Sequence, residues 1–91
     1  MKIATLKNGM RDGSLIVVNR SLTEYVSAPA NIPTMQSALD DWANSSEVLL
    51  QLFEDLQAVK LKSNRLEIKK LMAPLPRAYQ WLDGSAFLNH V

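Results

Sequence analysis

The hydrophobic period of this chain changes once, across the proline-broken stretch Ala28-Pro29-Ala30-Asn31-Ile32-Pro33, and that change restricts its fold more than any other feature. Before the break the pattern is that of half-buried strands. Ile3, Thr5 and Lys7 fall on one side of an extended segment, with Ala4 and Leu6 on the other. Ser14-Leu15-Ile16-Val17-Val18-Asn19 carries the β-branched enrichment of a second strand. Between the two, Asn8-Gly9 and Asp12-Gly13 supply residues that tolerate positive φ, so the segments read as a hairpin. Ser21 to Ser27, containing Tyr25 and Val26, adds a short third strand before two prolines end regular pairing.

From Thr34 the period is helical. Met35, Leu39 and Trp42 share one face, Asp40 and Asp41 form a solvated opposite face, and Thr34 is the expected N-cap. Asn44-Ser45-Ser46 reads as the cap of a second helix, in which Leu49, Leu52, Phe53, Leu56 and Val59 recur at three and four up to about Leu61. Glu47 near its start and Lys60 and Lys62 near its end suit the helix macrodipole. The apolar stripes, Met35, Trp42 and Phe53 among them, need a surface to bury against, and the N-terminal hairpin is the one available. Ser63-Asn64 then reads as a break and Leu66-Glu67-Ile68 as a further short strand. Met72-Ala73-Pro74-Leu75-Pro76 is held extended, because each residue before a proline is pushed out of the helical region. The expected architecture is α+β: an N-terminal β-hairpin or small antiparallel sheet packed on two amphipathic helices over residues 1–71, followed by an extended C-terminal segment, residues 72–91.

Composition narrows the chemistry. With 91 residues the chain makes one small domain. Without cysteine there is no disulfide framework and no thiolate nucleophile, and a single histidine cannot build a His-rich zinc site. Three glycines, at positions 9, 13 and 84, are too few to write a Rossmann or Walker phosphate loop, and Ser85 has no Gly-x-Ser-x-Gly elbow around it. Ten basic residues against nine acidic ones, interleaved from Lys2 to Arg77, are not the clustered charge of a nucleic-acid binder. Apolar runs such as Leu15 to Val18 fall far short of the roughly 20 residues that cross a bilayer, and the N-terminus lacks the apolar stretch of a secretory signal. A cytoplasmic protein that engages neither nucleic acid nor membrane is expected.

The last twenty residues hold a Trp and the only His. Asp83 and His90 are separated by six residues, and a turn at Gly84 would let a carboxylate and an imidazole line one cleft, as a hard oxygen ligand and a proton acceptor. The same residues also fit a plainer arrangement, in which Asp83 opens an Asp-Gly turn and His90 lies on the surface. Spacing alone leaves both open.

Several stretches together resemble a known family: Met1-Lys2-Ile3-Ala4-Thr5-Leu6-Lys7-Asn8-Gly9, Arg11-Asp12-Gly13, Ala38-Leu39-Asp40-Asp41-Trp42, and above all Ala73-Pro74-Leu75-Pro76-Arg77-Ala78-Tyr79-Gln80-Trp81 running on to Val91. They are similar to the N-terminal part of a bacterial fumarylacetoacetate hydrolase family protein. The resemblance implies a small accessory domain ahead of a larger β-rich catalytic domain, which holds Ca²⁺ or Mg²⁺ in a ring of carboxylates and hydrolyses a carbon–carbon bond of β-diketo acids, as in tyrosine and other aromatic catabolism. It also implies roles for two residues. Asp83 corresponds to the family's metal-ligating Asp, and His90 to the His that activates the attacking water. Where the animal enzymes carry a substrate-contacting Tyr, this chain has Ser85.

The expectation is therefore an N-terminal domain, with the first segment of a catalytic domain, of a fumarylacetoacetate hydrolase-like enzyme. The rest of the metal ring would come from the catalytic domain that is its partner, and the 91 residues alone would hold no cofactor and be inert. Trp81, Phe87 and Leu88 would pack on that domain, and in the 91 residues alone the tail is expected either to be disordered or to be buried by self-association. The alternative is a stand-alone protein-interaction module without catalysis.

Overall fold

A computed structural model describes residues 1–72 and the backbone of Leu82–Asp83. Strands β1 (Lys2–Leu6), β2 (Ser14–Val18) and β3 (Glu24–Ser27) form an antiparallel meander, with Ile3 opposite Val17 and Val17 in turn opposite Val26. Side-chain amides set both corners. In the first, Met10 N–H donates to Asn8 Oδ1 at 2.8 Å and Asn8 Nδ2 donates to Ser14 Oγ at 2.6 Å. The loop closes on Gly13, whose φ is +63° and whose missing Cβ would sit 2.7 Å from the Leu6 carbonyl oxygen, so both the backbone conformation and the space demand glycine. In the second corner Asn19 Oδ1 accepts from Thr23 N–H at 2.9 Å and Glu24 N–H at 3.1 Å, while Leu22 takes the left-handed conformation at φ 60°.

Thr34 caps the first helix, α1 (Met35–Asp40), as the sequence predicts: its Oγ1 accepts from Ser37 N–H at 3.1 Å and Ser37 Oγ accepts from Thr34 N–H at 3.0 Å, a reciprocal capping box. The second helix, α2 (Trp42–Gln57), begins earlier than expected. The break falls on Asp41, in a non-helical conformation at φ −138° and ψ 57°, so Trp42 opens α2 rather than closing α1. Asn44-Ser45-Ser46 lies within the first turns of α2, where Asn44 Nδ2 donates back to the Asp41 carboxylate at 3.1 Å.

The second helix also ends sooner than Leu61. Val59 turns left-handed at φ 57°, Val59 N–H donates to Leu56 C=O at 3.1 Å and Lys60 N–H to Asp55 C=O at 2.9 Å. This pair of bonds is a Schellman ending, with valine in the place glycine usually takes. With these boundaries α2 has no acid in its first turn and no base in its last, so Glu47, Lys60 and Lys62 do not complement its dipole.

Both faces of the sheet are buried. Ile3, Leu15, Val17 and Val26 point toward the helices and pack with Ala38, Trp42, Leu49, Phe53 and Leu56; of the stripe that helical spacing predicts, Met35, Leu39 and Leu52 are partly buried against this core and Val59 is exposed. The alternate residues Ala4, Ile16 and Val18 face the other way and are covered by Leu66 and Leu71. That cover comes from the return of the chain. The expected strand at Leu66–Ile68 is instead β4 (Asn64–Arg65) on β3, followed by a 3₁₀ turn at Ile68–Lys70 and β5 (Leu71–Met72) on β1. Asn64 therefore belongs to a strand, not to a break.

Because β4 and β5 lie at opposite ends of the order β4-β3-β2-β1-β5, a flat sheet would set them about 19 Å apart at ~4.8 Å per strand. The residues from Arg65 to Leu71 could span that only if almost fully extended, at about 3.3–3.6 Å each, and the 3₁₀ turn shortens them. The sheet accordingly curls around its second face. The outcome is the α+β fold that the period change predicts, an antiparallel sheet packed on two helices.

Candidate functional site

A last two-residue strand, β6 (Leu82–Asp83), shares the outer edge of β1 with β5. Met72 and Leu71 stand opposite Thr5 and Leu6, and Leu82 and Asp83 opposite Ile3 and Lys2. Asp83 is thus anchored through its backbone at the N-terminal end of β1. His90 and Ser85, like Trp81, Phe87 and Leu88, lie outside the described residues. The pairing of Asp83 with His90 that the sequence suggests is therefore placed at one end only.

A hard cation such as Ca²⁺ takes six to eight oxygen ligands, and Mg²⁺ near-octahedral ones, so Asp83 is the right kind of donor and by itself at most two of the atoms required. Among the described residues no three of His, Asp, Glu or Cys gather where they could hold a metal. The described residues do not by themselves make up a cation site.

The described surface includes two hollows of a few hundred Å³ each. One, of about 300 Å³, lies between the β2–β3 corner and the end of α2, lined by Asn19, Glu24, Leu56, Gln57, Leu61 and Ser63. Its polar walls are committed to structure: Gln57 Oε1 accepts from Arg20 N–H at 2.7 Å, and Ser63 Oγ donates to Glu24 Oε2 at 3.2 Å. The other, of about 460 Å³, is a shallow apolar depression at the first corner, between Met10 and Met72. In the first a hydroxyl meets a carboxylate, Ser63 on Glu24, with no histidine among the lining residues, and the lining of the second holds neither a carboxylate nor an imidazole.

Among the described residues, the protonation equilibria clearly displaced belong to the exposed pair Glu67 and Lys70, 2.7 Å apart across the 3₁₀ turn. The hydrogen bond from Lys70, then its charge, hold the Glu67 carboxyl below its ordinary range, and the reciprocal bond and charge raise the Lys70 ammonium. This is ion pairing at a surface, not the tuning of a catalytic acid or base.

Fold and site together define a small α+β domain whose described part presents a candidate ligand strand at a sheet edge and no self-sufficient catalytic constellation. Residues 1–77 match the family described as fumarylacetoacetase N-terminal domain 2, and the chain belongs to that family. No curated protein matches it. The family match covers both helices and every strand but β6 and ends ahead of Asp83, so the roles expected of Asp83 and His90 stand on the resemblance of the C-terminal stretch alone. No helix among the described residues is long and apolar enough to cross a membrane.

Proposed function

We propose that this domain is the N-terminal unit of a cytoplasmic enzyme that hydrolyses a carbon–carbon bond in a β-diketo acid, using Ca²⁺ or Mg²⁺ held largely by a C-terminal catalytic domain. In this reading Asp83 contributes one hard oxygen ligand and the His90 imidazole accepts a proton from water. The catalytic domain brings the remaining ligands, the group that orients the imidazole, and the cationic groups that grip the substrate carboxylates. The 91 residues alone turn over nothing.

The observation that carries this reading is the family match over residues 1–77, which includes every element of the sheet except β6. The position of β6 supports it in a second way. An edge strand hydrogen-bonded to β1 gives Asp83 a fixed backbone, and a ligand carried on a rigid element holds its geometry better than one on a free loop.

The test is the chain extended by the reading frame that follows the codon for Val91. The longer protein is expected to hydrolyse an acylpyruvate only with Ca²⁺ or Mg²⁺ present, and the 91-residue chain to show no activity. His90→Ala in the longer protein is expected to abolish turnover with the circular dichroism spectrum unchanged, and Asp83→Asn to weaken the metal requirement's apparent affinity by about tenfold or more. Full turnover in His90→Ala removes His90 from the mechanism. The absence of any metal-dependent hydrolysis in the extended protein favours the interaction module.

A further inference from the structure

Along the chain acids and bases interleave, but by layers they segregate. Residues 35–57, which hold α1 and α2, carry five carboxylates, Asp40, Asp41, Glu47, Glu54 and Asp55, and no Lys or Arg. On the opposite side of the sheet the return segment carries Arg65, Lys69 and Lys70 against the single acid Glu67, which is already paired with Lys70. Lys7 joins this side: its N–H donates to the Lys70 carbonyl at 2.8 Å and its ammonium reaches the Lys69 carbonyl at 3.4 Å.

Each layer also exposes a large aliphatic side chain in the middle of its charges. Leu50 is 44 % exposed on α2, with Glu47 three residues before it and Glu54 four after, so both flank it on the same helix face. Ile68 is 50 % exposed at the 3₁₀ turn, three residues after Arg65 and directly before Lys69 and Lys70. An apolar centre with a charged rim is the anatomy of a protein-docking surface. Here one molecule bears two such surfaces, on opposite faces and of opposite sign.

We propose that the chain associates head to tail with further copies of itself, the acidic helix layer around Leu50 of one molecule docking on the basic return segment around Ile68 of the next. The occupant is a second copy because the two rims complement each other in sign, and each surrounds one exposed aliphatic side chain. Since the surfaces differ and face opposite ways, the contact is heterologous. It extends into short chains rather than closing a two-fold dimer.

Sedimentation velocity on the 91-residue protein tests this. The weight-average sedimentation coefficient is expected to rise with protein concentration in about 20 mM salt and to lose that rise at about 500 mM, where the screening length falls to a few ångströms. Reversing either rim, with Arg65→Glu plus Lys69→Glu or with Glu47→Lys plus Glu54→Lys, is expected to weaken association about tenfold. Mixing the two variants is expected to restore it, because each then offers the other a complementary face. Association that survives high salt or both reversals would be apolar and elsewhere on the molecule, and it overturns the proposal. So does a strict monomer in low salt, or a mixture that fails to recover.

Discussion

Among the described residues, two other than glycine adopt the left-handed conformation, Leu22 at φ 60° and Val59 at φ 57°, and they differ in what their side chains do. Val59 is 85 % exposed, so it keeps the strain of a β-branched residue in that region with almost no burial in return. Left-handed backbone costs an L-residue ~1–2 kcal/mol. Replacement by glycine removes that cost, adds ~0.4–1 kcal/mol of lost chain entropy, and gives up only a few tenths from the small apolar area covered. The net expectation for Val59→Gly is a stabilisation of ~0.5–1 kcal/mol, or roughly 2–6 °C in Tm for a domain of this size. Leu22 is half-buried and packs against the second core, so Leu22→Gly loses apolar contact worth ~1–2 kcal/mol and gains nothing net. Urea denaturation of both variants, with m-values compared, measures the difference. If Val59→Gly is neutral or destabilising, or Leu22→Gly equals it, the assignment of strain to the end of α2 is wrong.

Gly13→Ala is expected to destabilise the domain by about 2–4 kcal/mol in the same assay, since it adds left-handed strain to a clash with the Leu6 carbonyl and the Thr5 methyl; Gly9→Ala, at φ 82° with open space around it, is expected to cost only the strain. The Glu67–Lys70 pair has a pH signature at both ends. With its pKa lowered, Glu67 contributes fully above its ordinary value near 4.5, and the contribution fades as pH falls through the lowered midpoint; with its pKa raised, Lys70 contributes fully below about 10.5 and fades as pH rises through the raised one. Because both groups are exposed the effect on stability is small, and the readout is the carboxyl titration of Glu67 by NMR, whose midpoint should move up in Lys70→Met.

Much of the fold is legible in the order of the residues. The period change at Pro33, the turn residues of the first corner and the Thr34 cap each act through local chemistry, and each appears where it is predicted. What local pattern misreads is decided at a distance. Asn44-Ser45-Ser46 offers capping side chains, yet the break falls at Asp41, which makes no side-chain cap bond, and Trp42 is buried in the core as the first residue of α2. The helical period continues through Val59 and Leu61, and nothing in it announces that a valine will take a glycine's conformation.

The second core had a signal that alternation hides. Leu15-Ile16-Val17-Val18 is uninterrupted, which is the mark of a strand covered on both faces, and it implies a covering segment that Leu66 and Leu71 supply. The strands β4, β5 and β6 have two residues each, too short for any period, and exist because the curled sheet offers them an edge. Of the candidate site, Asp83 and His90 are legible only through family resemblance, since one carboxylate and one imidazole at this spacing satisfy many arrangements equally well.

Strand β1 leaves the ribosome well before the segments that complete its outer edge, Leu71–Met72 and Leu82–Asp83. At roughly 5–20 residues per second of synthesis, the hairpin would wait on the order of several seconds with the hydrogen-bonding groups of Lys2 to Leu6 uncovered. A nascent polypeptide in that condition invites strand exchange with its neighbours on the same messenger. The lysines at both ends of that exposed edge, Lys2 and Lys7, are the residue type that discourages such mispairing while translation finishes.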